Sequence, residues 1–107
     1  MALKVYDVSL EMVRMLKPVV EVVGRRDRAL ADQMRRAASS VVLNIAEGTE
    51  SLGGNQRSRY RTALGSAGET AAALDVAMAW DYVAKERAQV VQRKLTDVRK
   101  MLWSLAR

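Results

Sequence analysis

Arg36, Ser40, Asn44 and Glu47 follow one another at steps of four, four and three. On a helix that spacing puts all four on one face. A carboxylate sharing a face with an arginine could serve as an acid or base beside an anion clamp. The chain offers little to complete such a site. It has no His and no Cys, so it lacks the usual triad base, any thiol nucleophile and the commonest metal ligands. The favoured reading of Arg36, Ser40, Asn44 and Glu47 is a satisfied polar network tying helices or subunits together, because polar groups beside apolar ones need partners where they are buried. Glu69 is a candidate to meet Arg36 in space. No catalytic residue, cofactor or metal is expected.

A second kind of chemistry lies in the arginines. Arg57, Arg59 and Arg61 alternate through a stretch with no acid between Asn55 and Thr62, and Arg25, Arg26 and Arg28 form another cluster. Guanidinium groups hold phosphate, helix N-termini attract it, and Tyr60 between the arginines could stack a base. The chain has 18 Lys plus Arg against 12 Asp plus Glu, a net charge of +6. That balance suits a polyanion such as RNA or DNA, although it also suits plain solubility and a solvated face. Arginines at every second position do not form a single helical stripe.

Four helices are expected to position these groups. Val5, Val8, Met12, Met15, Val19 and Val22 recur at helical steps over about residues 4–23, with a bend expected at Pro18 and a stop at Gly24. Leu30, Met34, Ala37, Val41 and Ile45 mark a second helix over about 27–47, with Gly48 as its left-handed terminator. A loop through Gly53-Gly54 precedes a third helix from about 55 or 56 to 80, whose stripe reads Tyr60, Leu64, Ala67, Ala71, Leu74 and Met78. Ala88, Val91, Leu95, Val98, Leu102 and Leu105 step three and four along a fourth, over about 85–106. Half of the residues are hydrophobic, nothing alternates with period two, and Phe is absent. The 107 residues thus read as one all-α domain, an antiparallel up-down-up-down four-helix bundle. Its first junction and the start of its third helix fall at opposite ends.

Two features remain. Gly65 and Gly68 resemble the clamp of a KH domain only superficially, since that fold needs strands; with Ala63, Ala67 and Ala71 they read as a close helix approach. Leu16, Val20, Val23, Val42, Leu43, Trp80, Met101 and Trp103 widen the apolar arcs, which points to a second buried surface and hence a homo-oligomer. Charges near the N-terminus and the absence of a long apolar run argue against a secretory signal or a membrane span, leaving a cytoplasmic protein as the expectation.

The run Gln33-Met34-Arg35-Arg36-Ala37-Ala38-Ser39-Ser40-Val41-Val42-Leu43-Asn44-Ile45-Ala46-Glu47-Gly48 resembles proteins encoded by intervening sequences of bacterial 23S ribosomal RNA genes, whose pattern there is roughly Q-I-R-R-A-x-x-S-I-x-x-N-I-A-E-G. Ala63-Leu64-Gly65-Ser66 followed by Glu69 is similar to their A-x-G-S-x-x-E stretch, and Asp81-Tyr82-Val83 sits where they commonly carry Gly-Tyr-Leu. The resemblance spans essentially the whole chain. It implies an antiparallel four-helix bundle assembled as a homopentamer, without enzymatic activity. It also implies kinship with the accessory variability determinant proteins of diversity-generating retroelements, which are basic, nucleic-acid-binding partners of a reverse transcriptase. Arg36, Asn44, Glu47, Ser66 and Glu69 carry over as structural polar contacts. Two departures stand out: Ala84 replaces a common capping Ser, and Arg57 to Arg61 is arginine-rich where members often place Phe.

The functional expectation is a non-enzymatic oligomer that meets RNA or DNA through Arg57, Arg59, Arg61, Arg25, Arg26 and Arg28, with Tyr60 as stacking group. The alternative is a scaffold for an acidic or polymerase-like protein, such as a reverse transcriptase, without direct nucleic-acid contact.

Overall fold

A computed structural model describes residues 4–107. Four helices follow in order: α1 over Lys4–Gly24, α2 over Arg28–Thr49, α3 over Gly53–Ala79 and α4 over Lys85–Ala106. Each packs on its neighbours in sequence, and α1 closes the ring against α4. The result is the antiparallel up-down bundle, measuring 42 × 22 × 20 Å. The α1–α2 and α3–α4 junctions share one end, and the α2–α3 junction lies at the other.

Local chemistry sets the ends. Asp27 caps α2, its Oδ1 accepting the Leu30 N–H at 3.0 Å; removal of such a cap typically costs ~1 kcal/mol. α1 runs unbroken through the exposed Pro18 to Gly24. At the end of α3, the Tyr82 N–H reaches the Ala77 carbonyl at 2.9 Å and the Asp81 N–H reaches Met78 at 3.0 Å. Asp81 takes the left-handed conformation, φ 60°, of a Schellman stop, where Gly is the usual occupant. Ala84 caps α4 with no side-chain hydrogen bond.

Gly48 is not the terminator expected from the sequence. α2 passes through it to Thr49, and its last carbonyls are met by the Glu50 and Ser51 N–H groups and by side chains. Thr49 Oγ1 donates to Ile45 at 3.0 Å, Ser51 Oγ to Glu47 at 2.8 Å, and Gln56 Nε2 to both Gly48 and Ser51 at 3.0 and 3.1 Å. Gly48 is needed because the Tyr60 ring lies against it. A Cβ there would stand 2.5 Å from Tyr60 Cε1 and 2.8 Å from Cδ1. Gly48→Ala is therefore expected to lower stability by ~1–2 kcal/mol in a denaturant titration. Overpacking at ~1–3 kcal/mol outweighs the helix-propensity gain of up to ~1 kcal/mol. A gain in stability would show that the ring moves aside freely.

The largest fully buried side chains include Met12, Met34, Ile45, Leu74, Leu95 and Leu102. Leu16, Val20, Val23 and Val42, read from sequence as excess apolar arc, are buried within the single chain, whereas Leu43, Trp80 and Trp103 stay exposed. α3 turns Ala63, Ser66, Ala67, Thr70 and Ala77 inward beside Tyr60 and Leu74, and the expected Leu64, Ala71 and Met78 flank the core. The buried Thr70 hydroxyl is satisfied by the Ser66 carbonyl at 2.8 Å. Gly65 and Gly68 do not mark a close helix approach: a Cβ at Gly65 would meet nothing within 4 Å, and one at Gly68 only the Arg99 guanidinium at 4.0 Å. Both glycines sit outside the inward stripe of α3.

Candidate nucleic-acid interface

At the end formed by the α2–α3 junction, α3 presents Arg57, Arg59, Tyr60 and Arg61 on different sides. Residues two apart on a helix are about 200° apart, so Arg59 turns away from the side shared by Arg57 and Arg61. Arg59 faces α2, its Nη1 2.8 Å from Glu47 Oε2. Arg57 and Arg61 are exposed and form no ion pair among the described residues. Tyr60 is only 3% exposed and belongs to the core, so its ring presents no face to a base. The expected stacking group is a packing group.

The second arginine cluster lies at the opposite end. Arg25 and Arg28 are exposed, and Arg26 sits 5.7 Å above the Tyr82 ring. That ring stacks in turn on Trp80, with centroids 6.3 Å apart and planes at 19°. Burial, then the Asp27 carboxylate, pushes the Tyr82 phenol above its ordinary value. Arg25, Tyr82, Lys85 and Arg87 line an open groove of about 610 Å³ with Val22, Asp81, Val83 and Ala84. Asp27 and Asp81 temper the positive charge here, in contrast to the acid-free start of α3.

The polar set is only partly joined. Ser40 Oγ and Ser66 Oγ lie 2.8 Å apart across the α2–α3 seam. Asn44 Nδ2 donates to the Ser40 carbonyl at 2.9 Å and to its hydroxyl at 3.1 Å. Glu47 closes the row through Arg59. Arg36 lines the same groove, of about 510 Å³, with Ser40, Leu43, Asn44, Glu47 and Arg59. The antiparallel register set by Ser40–Ser66 brings Glu69 to the level of Arg36 and Ala37, yet no ion pair joins Arg36 to Glu69. Arg36 lines the groove with Glu47 and Arg59, and Glu69 is not part of its lining.

Arg99 was not among the site residues expected from the sequence; like Arg93 and Lys100 it is exposed. Lys94 points toward α1, where it holds Glu11 at 3.1 Å. Arg99 lies instead beside Gly68 of α3. A signal was present, since Arg99 follows Gln92 by two turns, and Gln92 faces α3 through Asp75 at 2.6 Å.

Bundle, polar seam and charged ends together define a small basic protein of the antiparallel four-helix class. Among the described residues no helix is long and apolar enough to cross a membrane, and no cluster of three or more acidic side chains could hold a metal ion. The chain belongs to the 23S rRNA-intervening sequence protein family, whose sequence profile matches residues 1–104. The bundle is similar to the crystal structure of a protein of unknown function from the S23 ribosomal protein family of Bacteroides thetaiotaomicron. The two are 22% identical over 96% of this chain and 98% of that one, with a TM-score of 0.88. No curated protein matches significantly. At 22% identity the likeness speaks for the fold.

Proposed function

We propose that the protein is a non-enzymatic homo-oligomer, with five subunits as the working number, that binds RNA or DNA through phosphate contacts. The observation carrying this reading is the pair Arg57 and Arg61. They lie one helical turn apart on an exposed side of α3 and have no acidic partner among the described residues. In a chain of net charge +6, such a pair repeated across subunits multiplies weak phosphate contacts. Arg25 and Arg28 add a weaker site at the other end. Arg59 contributes least, since Glu47 already neutralises it. The family name adds a relation to ribosomal RNA genes.

The absence of catalysis is part of the proposal. Among the described residues Glu47 is the only carboxylate lining its groove, and it is engaged by Arg59, so they assemble no free acid–base pair there. Self-association finds support in Leu43 and Val76, which remain exposed on α2 and α3, and light scattering on a sizing column measures it directly.

The test is Arg57→Ala/Arg61→Ala. Affinity for a short RNA at low salt is expected to fall at least ~10-fold, and the slope of log affinity against log salt to drop by ~1–2. An unchanged affinity and slope would remove the assignment. The exposed Leu43 favours the scaffold reading as the second choice. Recovery of one defined protein partner after nuclease treatment, with no RNA shift on the sizing column, would decide for it.

A further inference from the structure

Trp103 stands 63% exposed near the end of α4, and nothing in the fold accounts for it. Its surroundings follow from the antiparallel register of α3 and α4. Asp75 meets Gln92, and two turns nearer the start of α3, Gly68 meets Arg99 two turns further along α4. One more turn along α4 brings Trp103 level with Leu64 and Gly65. Arg99 and Trp103 are four residues apart and share a face of α4, the one that Gln92 turns toward α3. Gly65 offers no side chain, and a Cβ built on it would meet nothing within 4 Å, so the surface of α3 at that level is open. Arg61 lies one turn below on α3, with Arg57 beyond it. Arg99 and Lys100 precede Trp103 by one turn on α4.

Charge separates this tryptophan from the other. No Asp or Glu occurs from Gly53 to Gly68 or from Val98 to Arg107, and Glu69 and Asp97 stand just outside these stretches, so both helices bring an excess of cations to the strip. Trp80, at the opposite end of the molecule, is stacked on Tyr82 and adjoins Asp81. An exposed indole among cations in excess over carboxylates is the arrangement that holds an unpaired base by stacking while cations hold its flanking phosphates. In a duplex the base faces are already stacked on one another, and only the phosphates would be available.

We infer that Trp103, with Arg57, Arg61, Arg99 and Lys100, forms a binding site for single-stranded nucleic acid, in which Trp103 stacks on an unpaired base. The inference rests on the phosphate-binding reading above and narrows it to unpaired strands. The stacking group anticipated at Tyr60 is thereby supplied from the facing helix.

The experiment uses the full chain carrying Trp80→Phe, which leaves Trp103 as the single tryptophan. Labelled oligo-U, oligo-dT and a mixed-sequence duplex, each about twelve nucleotides long, are titrated at low salt, reading label anisotropy and tryptophan emission together. Single strands are expected to bind at least ~10-fold tighter than the duplex and to quench Trp103. The oligo-U and oligo-dT arms show whether the strand is RNA, DNA or either. Trp103→Ala should weaken single-strand binding by ~5- to 100-fold at an unchanged salt slope, and Trp103→Phe should retain most of the affinity. Because Trp103 is exposed, its truncation should leave the circular dichroism melt in place. Arginine-dependent binding without quenching, indifferent to Trp103→Ala, overturns the stacking site and leaves the phosphate reading standing. Equal or tighter binding of the duplex also overturns it. Failure to bind any of the three overturns the phosphate reading and this inference with it.

Discussion

Tyr60→Ala is expected to destabilise the protein by ~3–5 kcal/mol, the range for truncating a buried aromatic. The ring is 3% exposed, joins the core and lies against Gly48. Removing it opens a cavity between α2 and α3, and Gly48, having no side chain, cannot fill it. Against a total stability of ~5–15 kcal/mol for a domain, that is a fifth of the total or more. The melting temperature should fall by more than ~12 °C, at ~4–8 °C per kcal/mol for a chain of this size. Melts must be compared at one protomer concentration, because an oligomer's apparent stability depends on it. Tyr60→Phe is expected to stay within ~0.5 kcal/mol, since no side-chain hydrogen bond holds the phenol. A loss below ~1 kcal/mol for Tyr60→Ala would mean that the ring is not seated on Gly48. The pair of measurements also separates packing from recognition. Tyr60→Ala should act on stability, whereas Arg57→Ala/Arg61→Ala should act on affinity at unchanged stability.

The fold was legible because the apolar residues of α1, α2 and α4 keep a helical period and the junctions are short. Boundaries were less so where two glycine roles overlap. Gly48 ends the recognisable Asn-Ile-Ala-Glu-Gly run and looks like a stop, but side chains from Thr49, Ser51 and Gln56 terminate α2 and free the glycine for packing. Conversely, Gly53 and Gly54 look like loop and form the first turn of α3. The stop of α3 falls on Asp81, a residue with no strong left-handed signature, in the position where the related pattern carries Gly. α3 itself misled because its inward face is small and partly polar. A stripe of Ala63, Ser66, Ala67 and Thr70 has little hydrophobic contrast with an outward face holding Gly65 and Ala72. The arginine pair at positions 57 and 61 was readable from spacing alone. Its partners on α4 were not, since Arg99 and Trp103 reach it only through the register of two helices that the sequence leaves unspecified.

The sharpest limit of periodicity lies at the end of α4, where Leu95 and Leu105 belong to one seam of three- and four-residue steps, Leu95 in the register of Ala88 and Leu102, Leu105 in that of Val91 and Val98. Leu95→Ala is expected to cost ~3 kcal/mol, within the ~2–5 kcal/mol range for a fully buried leucine. Leu105→Ala should cost less than ~1 kcal/mol. Leu95 is 1% exposed and Leu105 38%. An α-helix turns 100° per residue, so a stripe repeated every seven residues drifts by ~20° per heptad against a straight helix. Over the two heptads from Val91 through Val98 the drift of ~40° carries Leu105 off the core, and Ala106 takes the inward place instead. Leu95, near the middle of the helix, has not drifted far enough to leave it. Urea titrations of the two variants at matched concentration measure the difference directly. A shared cost near 3 kcal/mol would require Leu105 to be covered in solution, and the surface able to cover it would be a second copy of the chain. The same comparison thus weighs helix geometry against self-association, because in the single chain only Leu95 has a core to lose.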